Sequence, residues 1–210
     1  MKSLKMLGVV GLAAISAGCT PDWARENETN LLMDISQIVS FAGGEATGTE
    51  GAILMSDVQP DFNDDAVLTV QLYRKNPTVQ GSSPLEDVQL HSYQVRYFRT
   101  DGRNVEGLDV PHRITGPLNS TILHAPEGTD ESTAEVVVTL VRHQAKHEAP
   151  LINLVGIALS STNSLIFPGQ GIITTVAEVT IYGRQVTTGE PLSATGRVQV
   201  TFADFANDDE

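Results

Sequence analysis

Alternation of apolar and polar residues along most of the chain constrains its fold more than any other feature. In a β-strand successive side chains point to opposite faces, so a strand with one buried face produces this period of two. Two such segments, residues 177–182 and 197–202, are separated by the turn-forming residues 185–191, which predicts an antiparallel hairpin. The alternation is clearest in five segments, residues 66–74, 92–99, 134–141, 177–182 and 197–202.

Weaker patterns complete the prediction of secondary structure. Residues 31–38 suit either a short helical turn capped by Asn30 or a first strand. A helical turn is otherwise expected only at residues 142–148, and Pro150 stops it because proline disfavours helix in the residue before it. The total is seven to nine strands with little helix. The weaker strands are predicted at residues 52–58, 113–114 with 120–123, and 154–160.

Regularly spaced strands with one apolar face each are expected to pack as an all-β, antiparallel two-sheet sandwich. The architecture resembles an immunoglobulin-like sandwich with long loops, although the Cys…Trp…Cys core pattern of true immunoglobulin domains is absent. A single domain is expected over residues 31–206. An eight-stranded barrel of the lipocalin type is the alternative, and the irregular strand spacing disfavours it.

Charge and cysteine content exclude several classes of protein. The 210-residue chain has 13 Lys and Arg against 26 Asp and Glu, a formal net charge of −13. Nucleic-acid binding relies on clustered basic residues, so this balance argues against such a partner. A single cysteine, Cys19, allows neither an internal disulfide nor a multi-cysteine metal site. Residues 207–210 are expected to form a solvated acidic tail.

The first residues have the pattern of an export signal. A short basic start precedes an uncharged, mostly apolar stretch at residues 6–17, which is too short to span a bilayer. The sequence Ser16-Ala17-Gly18-Cys19 that follows resembles the lipobox of bacterial lipoproteins. An ordinary secreted protein cleaved near Ala17 is the alternative, but it would carry a free thiol in an oxidising compartment.

The lipoprotein resemblance implies removal of residues 1–18 and a membrane anchor. A diacylglycerol on the Cys19 sulfur and an acyl group on its new amine would hold the chain durably, because two or three acyl chains bind where one is marginal. Thr20 follows the cysteine, which by resemblance to the enterobacterial sorting rule favours the outer membrane. Residues 19–30 are then the lipidated cysteine with a polar tether.

One acidic segment resembles a calcium loop. Asp61, Asn63 and Asp65 read D-x-N-x-D, with oxygen ligands at the first, third and fifth positions. The segment departs from the EF-hand pattern afterwards, with Ala66 in place of glycine and Leu72 in place of glutamate. These residues are therefore candidate calcium ligands, and a solvated acidic turn is the alternative.

A second constellation has the spacing of a metal site. His143 and His147 are four residues apart and would share one face of a helix, a geometry that can hold zinc or copper with a third ligand. A polar connector with two exposed histidines is the simpler interpretation, and Lys146 beside them disfavours a cation. No hydrolase, zinc-protease, Walker or dinucleotide motif occurs in the sequence.

The sequence predicts a lipid-anchored, non-catalytic cell-envelope protein whose sandwich is a binding or structural module. An accessory subunit of an envelope complex, with an envelope protein as partner, belongs to this class. The loops at residues 76–84, 101–111 and 126–133 are the expected binding surface, because sheets hold such loops rigidly. The alternatives are a small-ligand carrier with a barrel interior and a calcium-dependent binding module.

Overall fold

The computed structural model describes residues 29–43, 49–50, 53–59, 61–76, 78, 81–155 and 171–205. The expected signal peptide, Cys19, most of the tether and the acidic tail lie outside the described residues. None of the described helices is long and apolar enough to cross a membrane.

Strands dominate the described residues, as the period-two alternation predicts. One α-helix, α1 (His143–Lys146), and two 3-10 helices, Pro84–Glu86 and Leu151–Leu154, are also present. The described strands are β1 (Leu31–Phe41), β2 (Thr49–Glu50), β3 (Ile53–Asp57), β4 (Asp64–Arg74), β5 (Val88–Phe98), β6 (Ile114–Pro117), β7 (Ile122–Leu123), β8 (Ser132–Val141), β9 (Ile173–Gln185) and β10 (Pro191–Ala203).

The strands form two sheets, and the fold is the predicted β-sandwich. The four-stranded sheet has the order β2-β1-β4-β8, and the six-stranded sheet has the order β3-β10-β9-β5-β6 with β7 also paired to β5. Strands β9 and β10 form the predicted antiparallel hairpin. One pair departs from the antiparallel expectation, because β3 runs parallel to β10.

Three other expectations, each for a single element, can be compared with the structure. Residues 31–38 form strand β1 rather than a helical turn, and residues 142–148 contain α1 as predicted. The strand predicted at 154–160 is wrong in its described part, because Leu154 ends a 3-10 helix that begins directly after Pro150. The remainder of that prediction, residues 156–160, lies outside the described residues.

A continuous apolar core fills the space between the sheets. In β4 every second residue is buried, and Leu68, Val70 and Leu72 are completely inaccessible. Val200 and Phe202 of β10, in the other sheet, belong to the same buried cluster. The sheets are open and packed face to face, so the barrel alternative is wrong.

The strand register gives the sandwich two distinct ends. The proximal end contains Leu31 and Arg74, which are paired, and the first residue of β5. The described chain begins at this end with Thr29, so we name it for its closeness in sequence to Cys19. The distal end contains Asp64, Val141 and Ala203, about 35 Å away for an eleven-residue strand.

Candidate functional site at the distal end

The two constellations that the sequence marked separately lie against each other at the distal end. The backbone N–H of His143 donates to Asn63 Oδ1 at 2.9 Å, and His143 Nδ1 lies 3.2 Å from the same oxygen. His147 Nε2 lies 2.7 Å from Asp61 Oδ1. Helix α1 follows β8, and the acidic segment leads into β4, the neighbour of β8 in the sheet. The pairing of these strands therefore brings the histidines to the acidic segment.

A fully buried ion pair lies beneath this contact. Lys146 Nζ donates to Asp64 Oδ1 at 3.1 Å, and both side chains are 0% exposed. Gly43 N donates to the same oxygen at 2.7 Å, and Ser56 Oγ donates to Asp64 Oδ2 at 2.5 Å. The carboxyl group thus joins four segments of the chain through three hydrogen-bond donors.

The interior position of Asp64 changes its acid–base behaviour. Burial raises the pKa of the Asp64 carboxyl, because a charged group loses its hydration there, while the nearby Lys146 acts in the opposite direction. Buried charges are costly unless they are paired and hydrogen-bonded. The hydrogen bonds from Lys146, Gly43 and Ser56 therefore together offset the cost of burying the Asp64 carboxyl.

Two tyrosines of β5 form hydrogen bonds with the backbone of β8 in the opposite sheet. The hydroxyl of Tyr97 donates to the carbonyl of Leu140, and the hydroxyl of Tyr93 accepts from the backbone N–H of Thr139 at 3.3 Å. Burial raises the pKa of Tyr97. Arg142 Nε is buried and has no hydrogen-bond partner within the part of the chain that the structure describes.

The three candidate calcium ligands are only partly brought together. Asp61 faces His147 and is exposed, whereas the side-chain oxygen of Asn63 is occupied by His143. Asp65 is a half-buried residue of β4. Within the described residues, no group of three or more His, Cys, Asp or Glu side chains is arranged to hold a metal ion. Calcium binding by these residues stays a prediction.

The three candidate binding loops do not form one surface. Arg74 joins two of them at the proximal end, since its guanidinium donates to the carbonyls of Gly81 and Pro126. Ser82 Oγ also donates to Glu127 Oε1 at 3.0 Å. The third loop, residues 101–111, follows β5 and lies at the distal end.

Ion pairs order this distal loop. Asp101 accepts hydrogen bonds from Arg99 and Arg103, and these bonds hold the pKa of its carboxyl well below the usual value. Arg113 lowers the pKa of Glu106 in the same way. Both carboxyl groups therefore remain charged and paired with arginines at neutral pH.

Exposed apolar side chains accumulate in the connections of the distal end. An exposed apolar group can mark an interaction site, whereas single exposed residues need no explanation. At the proximal end the described exposed residues of this kind are Leu85 and Val186 in the connections and Ile122 in the short strand β7. The distal ones, which we call the distal apolar residues, are Phe62, Val105, Leu108, Ile152 and Ile172.

An open recess of about 410 Å³ lies on the outer face of the six-stranded sheet. Its lining includes His91, Tyr182 and Ser193, and it forms where a bulge in β5 interrupts the register between Leu90 and Ser92. The recess is outside the packed core. This recess is therefore not the interior cavity that a barrel carrier requires.

The sequence did not identify the roles of Asp64, Lys146 and Arg74, the charged residues whose hydrogen bonds connect segments of the chain at the two ends. The signal was present in β4, because extending its alternation one step outward in each direction places Asp64 and Arg74 on the buried face. A charge on a buried face requires a partner, and Lys146 and Glu86 are those partners. No protein-family model matches the chain, and no curated protein is significantly similar to it.

Proposed function

We propose that the protein is a lipid-anchored, non-catalytic component of the bacterial cell envelope whose sandwich binds another envelope protein through its distal end. The anchor is Cys19, supported by the lipobox-like residues before it, and Thr20 favours the outer membrane. In this role the protein is an accessory subunit of an envelope complex, and it has no nucleic-acid partner.

The position of the distal apolar residues is the observation that carries this proposal. The described chain begins at the proximal end with Thr29, ten residues after Cys19 in the sequence, so an anchor at Cys19 would hold this end nearer the membrane. The distal end then faces away from the lipid. Apolar side chains at this end are available to a protein and are not needed for contact with the membrane.

The surrounding charge favours one kind of partner. Asp61, Asp109 and Glu148 lie in the same distal connections, and the whole chain is strongly acidic. The exposed Arg103 and Arg113 of these connections are already paired with Asp101 and Glu106. Interfaces combine an apolar centre with a polar rim, and complementary charge directs the encounter. We therefore expect a partner that presents apolar side chains surrounded by Lys and Arg.

Site-specific photo-crosslinking in living cells tests this surface. A photoreactive amino acid replaces Phe62 or Leu108 at the distal end, and Leu85 or Val186 at the proximal end as matched exposed apolar controls. We expect one protein adduct, identified by mass spectrometry, from the distal positions and not from the proximal ones. Equal labelling from both ends, labelling from the proximal end alone, or no adduct would refute the proposed surface.

The anchor is tested in the same cells with the Cys19→Ser variant. Without the thiol no diacylglycerol can be attached, so the protein should leave the detergent-rich phase. Unchanged detergent partitioning would contradict the anchor, while leaving the distal surface to be judged by the crosslinking alone.

A further inference from the structure

The buried pair at the distal end places an amine against a carboxyl group with water excluded. Lys146 Nζ lies 3.1 Å from Asp64 Oδ1, and neither side chain is exposed at all. Lysine and aspartate are almost never fully buried unless they are paired, and here both partners of such a pair are completely shielded from water. We propose that Lys146 and Asp64 condense to an intramolecular amide that crosslinks α1 to β4, a modification independent of the proposed binding function.

The reaction balances without a co-reactant. The Lys146 ammonium first passes a proton to Asp64 Oδ1 along their hydrogen bond, which leaves an amine and a carboxylic acid. The nitrogen lone pair then attacks Asp64 Cγ, a C–N bond forms, and the negative charge moves to Oδ2. A second proton moves from nitrogen to Oδ1, the C–Oδ1 bond breaks, and one water leaves. No group is oxidised or reduced.

The surroundings of the pair favour each part of this step. Ser56 Oγ already donates to Oδ2, where the negative charge develops, and such a preplaced donor stabilises an oxyanion. Gly43 N donates to Oδ1, the leaving oxygen. Burial raises the pKa of the Asp64 carboxyl, which favours the neutral acid that the attack requires.

The product also suits the site better than the ion pair does. Two buried charges are replaced by one neutral amide, so the desolvation cost of the ions disappears. The new carbonyl oxygen, Oδ2, keeps its hydrogen bond from Ser56. The crosslink joins residues 82 positions apart, in a chain whose single cysteine cannot provide an internal disulfide.

Peptide mass spectrometry of the full-length wild-type protein, purified from membranes, denatured and digested with trypsin, decides the question. The expected product joins residues 26–74 to residues 143–184 and is lighter than the two peptides together by one water, because trypsin does not cleave after an acylated Lys146. Full recovery of the uncrosslinked peptides His143–Lys146 and 26–74 would overturn the proposal.

The mature chain offers a matched control, since Lys75 is its only other lysine. In the Lys75→Met variant the crosslinked product should remain, and in Lys146→Met it should disappear. After denaturation of the wild-type protein, an amine-reactive reagent should label Lys75 and leave Lys146 unmodified. Labelling of both lysines to the same extent would refute the crosslink even if Lys146→Met fails to fold.

Discussion

The Arg74 guanidinium connects three segments at the proximal end, and replacing it by methionine tests how the sandwich is held closed. Its side chain is 1% exposed. It donates to the carbonyl of Pro126 at 2.8 Å, to that of Gly81 at 3.2 Å, and to Glu86 Oε2 at 2.6 Å. Methionine retains much of the apolar stem and removes all of these donors.

The expected loss follows from the groups that remain. The buried carbonyl of Pro126 loses its donor, and an unsatisfied buried polar group costs about 1–3 kcal/mol. Gly81 is exposed, so its carbonyl can regain a hydrogen bond from water. Glu86 is 29% exposed and can regain water, so its share is smaller. We expect Arg74→Met to lower the free energy of unfolding by about 2–4 kcal/mol, of which about 1 kcal/mol comes from Gly81 and Glu86 together, measured by urea denaturation of the full chain with the m-value checked for constancy.

Arg197→Met is the matched control. Arg197 also forms an ion pair with a glutamate, Glu178, but its side chain is 72% exposed. Exposed pairs of this kind contribute about 0–1 kcal/mol, so this variant should unfold almost like the wild-type protein. A difference of less than about 1 kcal/mol between the two variants would refute the argument that burial of the Arg74 donors decides the cost.

Two further variants test the core and the calcium prediction. Phe202→Ala should cost about 3–5 kcal/mol because Phe202 is fully buried and packs edge-to-face with Tyr97; thermal unfolding should show no comparable loss for Phe62→Ala, whose side chain is exposed. If Asp61, Asn63 and Asp65 hold calcium, millimolar calcium should raise the melting temperature of the wild type and not of Asp61→Ala. An unchanged wild-type melting temperature would end the calcium prediction.

The local pattern of apolar and polar residues was sufficient to predict most of the strands, but not which strands pair with each other. The alternation in β4, β9 and β10 follows from burial of one face, and it is visible within each segment's own residues. The parallel pairing of β3 with β10 depends on how distant segments pack, and no residue of either strand specifies its neighbour. The sequence therefore predicted a sandwich, but not which strand closes the six-stranded sheet.

The same distinction explains the candidate site. The acidic segment at Asp61 and the histidines at 143 and 147 were visible as separate patterns, because each is defined by residues a few positions apart. Their contact spans 80 or more positions, and it exists because β4 and β8 are neighbours. From the sequence Lys146 was only a positive charge that disfavours a cation beside the histidines, whereas in the fold it is buried against Asp64.

Strand β10 is an inner strand of the six-stranded sheet, and this position affects the order in which the sheet can form. This strand lies between β9 and β3, and its pairing with β3 connects residues 53–57 to residues 199–203. Contacts between segments so far apart form late and slow the folding of a domain. The six-stranded sheet cannot close until the last strand is available, so a chain exported from its amino end would cross the membrane before its fold is complete. If the chain is exported as proposed, the pairing of β10 would delay completion of the sheet until residues 191–203 have crossed the membrane.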